Sequence, residues 1–342
     1  MIKTLHALRF VFIMLIVMSH YPSMDFDFGG EVGVSFFFML SGFVLSYAYG
    51  HRVLEGQFHT MSFLWKQLSK FYPLHLLMLV FMALLNWRLS ITYSWTNLLT
   101  QVLLVQSWVL DESFYFGPNG PAWFLSDLVF FYVIFAAALR LLMKLSLRRL
   151  FLLTLLVAGV YMLLLQIVPE RLEDEFYVFP IFRIIDFFIG ILICRLFRSD
   201  AVRQLAEWLQ CQSSWTMTLL ESLAVGWILV ASLFFDDVVL RYRCASYFWL
   251  FVPPFLLFFA LSDNCKGWLT QMLQWPLLQS LGSVSLEIYL AHMFLLRVFV
   301  HVLQLDEGSV SNPLYKVLFF VFVGIASYLI KRVGALQKYV QI

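Results

Sequence analysis

The chain has 342 residues, 62% of them hydrophobic and only 13% charged, with a formal net charge of +2; soluble domains average about half apolar and roughly a quarter charged. That excess of apolar side chains excludes a soluble globular fold, and basic residues scattered among short loops exclude a nucleic-acid surface. The four cysteines, Cys194, Cys211, Cys244 and Cys265, show no CxxC spacing and no partner histidine at zinc-ligand spacing, so neither a metal site nor a disulfide framework is expected.

In chain order the apolar segments cover residues 5–21, 32–49, 71–87, 97–110, 122–143, 150–168, 178–197, 216–235, 244–261, 283–302 and 314–331. Most approach the roughly 20 residues that cross a hydrocarbon core of about 30 Å. Lys3 and Arg9 precede the first, and no small-residue cleavage site follows before Val32, which predicts an uncleaved first span. Cytoplasmic loops are enriched in Lys and Arg. That rule places inside the stretches from Arg52 to Lys70, Lys144 to Arg149, Arg195 to Arg203, Lys266, and Lys331 to Lys338. The acidic linkers Asp25 to Glu31, Glu170 to Glu175, Asp236-Asp237 and Asp306-Glu307 then fall outside.

Segment 97–110 acquires two outer ends in this scheme, and its 14 residues would rise only about 21 Å as a helix. The predicted fold is therefore an all-α polytopic membrane protein of about ten transmembrane helices. A short re-entrant or interfacial helix is added, and both termini are cytoplasmic. No internal repeat or soluble linker is visible, so residues 1–342 are expected to form a single integral-membrane domain.

Arg9 and His20 have ten residues between them, which puts them about 16 Å apart along a helix and within roughly 20° of one face. Ionisable groups inside a membrane usually face a cavity or pathway, so the pair suits two ends of a long anionic ligand. A positive-inside flank and an interfacial histidine account for them equally well. Lys66 and Lys70, one turn apart, are expected on one face of a helix entering the bilayer. They suit nucleotide phosphates or anionic lipid headgroups. Ser35, Ser41 and Gly42 lie in an aromatic-rich span and permit close helix approach.

Trp123 to Asp127 open another span, with Asp127 just inside the apolar region, where a carboxylate requires a polar cavity or a basic partner. Arg183 and Asp186 are spaced to form an ion pair. Ser285, Tyr289 and His292 share one helical face, with Glu287 pointing elsewhere near the inner surface; the stripe suits interhelical hydrogen bonding as well as catalysis.

Taken together and in this order, these residues resemble integral-membrane acyltransferase family 3, the membrane O-acyltransferases of bacterial surface polysaccharides. The resemblance covers nearly the whole chain. It is carried by Arg9, ten residues, His20; by Ser41-Gly42-Phe43; and by Lys66, Lys70 and Tyr72-Pro73. It continues through Trp123 to Asp127, Arg183 to Gly190, and Ser285, Tyr289 and His292. The sequence departs from the family in carrying Lys where Arg is usual at 66 and 70, which keeps charge but loses bidentate phosphate geometry. It also carries Asp127 where the family's acid would fall at Leu128.

The resemblance implies a multi-pass protein of the bacterial inner membrane that transfers an acyl group, most simply acetyl, from cytoplasmic acyl-CoA to a hydroxyl of a cell-surface or lipid-linked saccharide. Acetyl-CoA would be a cosubstrate, with no metal. Lys66, Lys70 and Arg9 would hold the donor, and His20 would be the general base, with Arg9 and Asp127 also in the catalytic set. Asp25, Asp27 and Glu31 are the nearest acids in sequence to orient its ring. Ser285, Tyr289, His292, Arg183, Asp186 and Trp123 would contact the acceptor.

An acyl-histidine intermediate, or Ser41, Ser126 or Ser285 as nucleophile, remains open. Two other readings stay beside this one. A membrane-bound O-acyltransferase-type enzyme would use His292 as its catalytic residue, and a lipid-linked sugar transporter would consume no acetyl-CoA.

Overall fold

The computed structural model describes residues 2–22, 24, 30–167, 173–233 and 248–340. All regular structure among them is helical: α1 (Lys3–His20), α2 (Gly30–Leu54), α3 (Thr60–Leu68), α4 (Tyr72–Arg88), α5 (Trp95–Leu103), α6 (Glu112–Tyr115), α7 (Trp123–Lys144), α8 (Leu147–Ile167) and α9 (Glu173–Val178). The second half holds α10 (Pro180–Phe197), α11 (Asp200–Gln210), α12 (Ser214–Leu233), α13 (Phe248–Leu261), α14 (Trp268–Leu273), α15 (Pro276–Ser283), α16 (Ser285–Val302), α17 (Glu307–Ser311) and α18 (Pro313–Val340). Asp25, Asp27, Glu170, Asp236, Asp237 and Cys244 lie outside the described residues.

Seven described stretches are long and apolar enough to cross a membrane: Lys3–His20, Gly30–Leu54, Thr60–Arg88, Gly120–Lys144, Leu147–Leu164, Ser285–Val302 and Pro313–Gly334. Ser214–Val230 and Phe248–Asn264 are shorter apolar helices. Helix α10 has comparable length but carries Arg183, Asp186 and Arg195. The segment expected to be re-entrant or interfacial contains α5, nine residues long, too short to span.

The core forms where α2 meets α10. Gly42 on α2 and Gly190 on α10 each face the other helix so closely that a Cβ would collide with a backbone carbonyl, that of Phe187 or Met39 respectively. Small residues let backbones approach in this way, gaining dispersion contact where lipid offers no hydrophobic drive. Gly33 likewise faces Phe12 and Ile16 of α1. Helices α8, α12 and α18 turn Leu155, Leu163, Leu219, Leu223, Val317 and Ile325 outward, as lipid-facing helices must.

One end of the bundle is basic. Gln279 donates to the Lys3 carbonyl at 2.8 Å, and Lys331 donates to the Ser283 carbonyl, so the start of α1 and the later part of α18 share this end. Arg195 ends α10 there by donating to the carbonyls of Met143 and Leu145 that close α7. Exposed Trp65, Trp208, Trp215, Trp268 and Trp275 lie at this end, and Trp87 and Trp95 at the other. This two-ended distribution matches aromatic belts at two membrane surfaces. Helix α11, read in the sequence as part of a basic loop, instead combines Asp200, Arg203 and Glu207 with Leu205, Trp208 and Leu209, the pattern of an interfacial helix.

Candidate functional site

A cavity of about 310 Å³ reaches the basic end at Ile2, Tyr47 and Lys70. His6, Arg9 and Lys70, with Ser41, Gln67 and Ser285, are among its polar lining, Phe37, Leu125 and Leu128 form part of its apolar wall, and Phe124 and Tyr289 line it as well. Its position follows from the anchoring of α1. Thr4 N–H donates to Asp263 Oδ1 at 2.8 Å and Thr4 Oγ1 to the Phe259 carbonyl at 2.6 Å. His6 Nε2 bonds the Gln279 carbonyl at 3.1 Å. These contacts hold the first turns of α1 against α13 to α15, and His6 and Arg9 both line the cavity.

Lys66 and Lys70 are not on one continuous helix, as the sequence reading had them. Helix α3 ends at Leu68, Ser69 to Phe71 form a turn, and α4 begins at Tyr72 with Pro73 in its first turn, where the missing proline N–H costs nothing. The break separates the roles of the two lysines. Both are exposed, but Lys70 lines the cavity and donates to Gln67 Oε1 at 2.5 Å, whereas Lys66 lies outside the lining.

Next to Tyr289 of the lining stand two histidines. The Tyr289 ring lies 6.0 Å from that of His292, which lies 5.1 Å edge-to-face from that of His20. His20 Nδ1 bonds the Ile16 carbonyl at 2.7 Å, and His292 Nδ1 the Tyr289 carbonyl at 2.7 Å. A carbonyl only accepts, so each Nδ1 carries a proton, and in a neutral ring with that tautomer the lone pair is on Nε2. Among the described residues the Ile16 carbonyl is one group that orients His20; Asp25 and Asp27 lie outside them. His20 itself is exposed and does not line the cavity.

The hydroxyls weighed as nucleophiles separate as well. Ser41 and Ser285 both line the cavity, Ser41 donating to its own helix at Phe37, whereas Ser126 lies outside the lining and accepts from Ser107 at 2.7 Å.

Arg183 and Asp186 form the expected ion pair, Nη2 to Oδ2 at 2.9 Å, with both side chains fully buried. Ser35 accepts from Arg183 at 3.0 Å, and Trp249 Nε1 donates to Asp186 at 2.6 Å. The guanidinium lies over the faces of Phe38 and Tyr177. Asp127 faces neither the cavity nor a hydrogen-bonding basic partner. It is fully buried beside the Ser107 hydroxyl, and Arg183, the cation acting on it, is committed to Asp186.

Trp123 is buried against Phe38 and Tyr177. Arg183, Asp186 and Trp123 therefore form a polar and aromatic layer outside the cavity. Asp186→Ala strands the buried guanidinium and is expected to cost about 3–5 kcal/mol, seen as a lower melting temperature in detergent; an unchanged melting temperature contradicts that role.

Several neighbours of Arg9 went unread in the sequence. Glu287 and Tyr132 act on its charge, and Lys331 adds a third cation to Arg9 and Lys70. Helical spacing had singled out Glu287 only as lying off the Ser285 face; Tyr132 and Lys331 belong to spans far apart in the chain and gave no local signal.

The bundle and its chamber define a polytopic membrane protein with an internal cavity, polar at one end and apolar along its length. Residues 2–332 match the family model described as an acyltransferase domain. The chain belongs to that family, acyltransferase family 3. It is 33% identical over 126 residues to the acyltransferase MdmB of Streptomyces mycarofaciens, covering 35% of this chain and 31% of that protein. It is 44% identical over 52 residues to protein 2 in the picA locus of Rhizobium radiobacter, covering 15% of this chain and 27% of that one. The chain thus spans less than a third of the length of the curated relatives it matches. No solved structure matches.

Proposed function

We propose that this chain is an acyl-CoA-dependent O-acyltransferase of the bacterial inner membrane, moving an acetyl group from cytoplasmic acetyl-CoA to a hydroxyl of a cell-surface or lipid-linked saccharide. The observation that carries this reading is the cavity: cations at its mouth, an apolar interior, and an imidazole pair past Tyr289. Its 310 Å³ lies at the small end of the roughly 300–1,000 Å³ of ligand sites. That favours a slim pantetheine arm with a short acyl group inside and the nucleotide outside. Arg9 and Lys70 meet the donor's phosphates as charge-assisted donors. The membrane-bound O-acyltransferase alternative, with His292 catalytic, loses ground to the family match.

In this mechanism His20 Nε2 takes the proton of the acceptor hydroxyl as its oxygen forms a bond to the thioester carbonyl carbon. The tetrahedral intermediate then expels the CoA thiolate as the carbon–sulfur bond breaks, and the thiolate receives the proton from the His20 imidazolium. The products are an acyl ester and free CoA thiol, with His20 neutral again. The Nδ1–H bond to Ile16 holds the ring in the required tautomer throughout. The donor arm meets His20 once the Tyr289 ring, whose hydroxyl bonds the Pro121 carbonyl, swings aside. His292 packs against His20 and holds it in place.

The test compares free CoA release from acetyl-CoA by wild type, Lys70→Ala and Lys66→Ala in nanodiscs. Lys70→Ala is expected to raise KM for acetyl-CoA about tenfold with little change in kcat, because it removes a phosphate contact at the mouth. Lys66→Ala, outside the lining, is expected to change KM much less. Equal effects of the two would contradict the donor path drawn here, and wild type that releases no CoA would contradict the function.

A further inference from the structure

We infer that Glu287 sets how tightly the cavity holds its anionic donor and product, by opposing the charge of Arg9; it is a positioning residue, not a catalytic one. The inference rests on the acyl-CoA reading above. Arg9 and Lys70 line the cavity, and Lys331 lies within electrostatic reach of Arg9. Glu287 is the carboxylate acting most strongly on Arg9, and it acts on Lys331 too.

Geometry puts Glu287 behind the wall. Ser285 and Leu286 line the cavity, and Glu287, the next residue in the first turn of α16, is rotated about 100° from Leu286 and absent from the lining. Two contacts fix this corner against α1 and α18. Gly282 abuts the His6 carbonyl, where a Cβ would collide, and Lys331 is tied to the Ser283 carbonyl. Arg9 Nε and Glu287 Oε2 are both buried and make no hydrogen bond. No salt bridge joins Arg9 to Glu287 among the described residues, so the two charges attract through space without being locked together, and Arg9 lines the cavity.

The functional consequence concerns release. Free CoA carries the same phosphates as acyl-CoA, so every cation that captures the donor also retains the product. A carboxylate behind Arg9 lowers the attraction for both and lets CoA leave after transfer. Its removal increases the positive charge of the mouth without removing any donor contact.

The experiment measures equilibrium binding of labelled CoA, together with steady-state turnover of acetyl-CoA, for wild type, Glu287→Gln and Glu287→Asp in nanodiscs. Glu287→Gln is expected to bind CoA about three- to tenfold more tightly, with a lower kcat as product leaves more slowly. Its affinity falls more steeply with salt than that of wild type. Glu287→Asp retains the charge and stays near wild type. A merely structural role would leave CoA affinity unchanged or weaken it, and either result in a Glu287→Gln protein that melts like wild type overturns the inference.

If Glu287→Gln does not fold, Lys331→Gln supplies the opposite sign. It strengthens the hold of Glu287 on Arg9 and weakens CoA binding about threefold; unchanged binding there also overturns the inference. Either negative result leaves the acyl-CoA reading standing, provided wild type binds CoA. Wild type that binds no CoA overturns both.

Discussion

His20→Ala is expected to slow acyl transfer by about 10²–10⁴-fold while donor affinity stays near that of wild type. The affinity is preserved because the donor contacts belong to Arg9 and Lys70 in the cavity, whereas His20 lies outside its lining. The rate falls because the imidazole proposed as the base is removed. His292, the ring beside it, is buried, with its Nδ1 bonded to the Tyr289 and Ile288 carbonyls. The expected pattern is a collapse of single-turnover CoA release with an unchanged CoA dissociation constant. If His20→Ala retains the wild-type rate and His292→Ala loses it, the base has been assigned to the wrong ring.

Gly190→Leu is expected to abolish the folded protein. The Cβ would meet the Met39 backbone carbonyl, and backbone cannot rotate away as a side chain does. Helices α2 and α10 must then separate, which pulls Ser35 from Arg183 and opens the layer of Phe38, Phe131 and Phe187. Overpacking a side-chain core typically costs about 1–3 kcal/mol, and parting two main helices exceeds that. Gly159→Leu is the matched control, because a Cβ there meets nothing within 4 Å. Size-exclusion profiles in detergent read the difference. A monodisperse Gly190→Leu protein with wild-type melting would show that the close approach of α2 and α10 is dispensable.

Much of this arrangement was legible in the sequence, for identifiable reasons. Long apolar runs gave α1, α2, α4, α7, α10 and α16 within a few residues, because spanning helices depend on length and hydropathy more than on their neighbours. The small residues around Gly42 signalled close approach, though not that α10 was the partner. Helical spacing brought Arg183 to Asp186 and put Ser285, Tyr289 and His292 on one stripe.

What stayed hidden was mostly tertiary. The turn at Ser69 to Phe71 interrupts an otherwise helical run and gives Lys66 and Lys70 different surroundings. Helices α11, α14 and α15 are short or interfacial, below the reach of a spanning criterion. His20 and His292 are far apart in the chain, and their contact depends on how α1 and α16 cross. Asp127 was expected to meet a cavity or a cation because a buried carboxylate is costly; the helix instead turns it into packed interior, where Arg183 already has its partner.

The most direct measurement supplies purified protein in nanodiscs with acetyl-CoA radiolabelled on the acetyl group and a lipid-linked saccharide fraction, and follows label into the saccharide. The account predicts alkali-labile, ester-linked label on the saccharide, released CoA in equal amount, and neither product with His20→Ala. Saccharide that remains unlabelled while acetyl-CoA stays intact, with the same protein carrying lipid-linked sugar across the bilayer, would contradict it and identify a transporter.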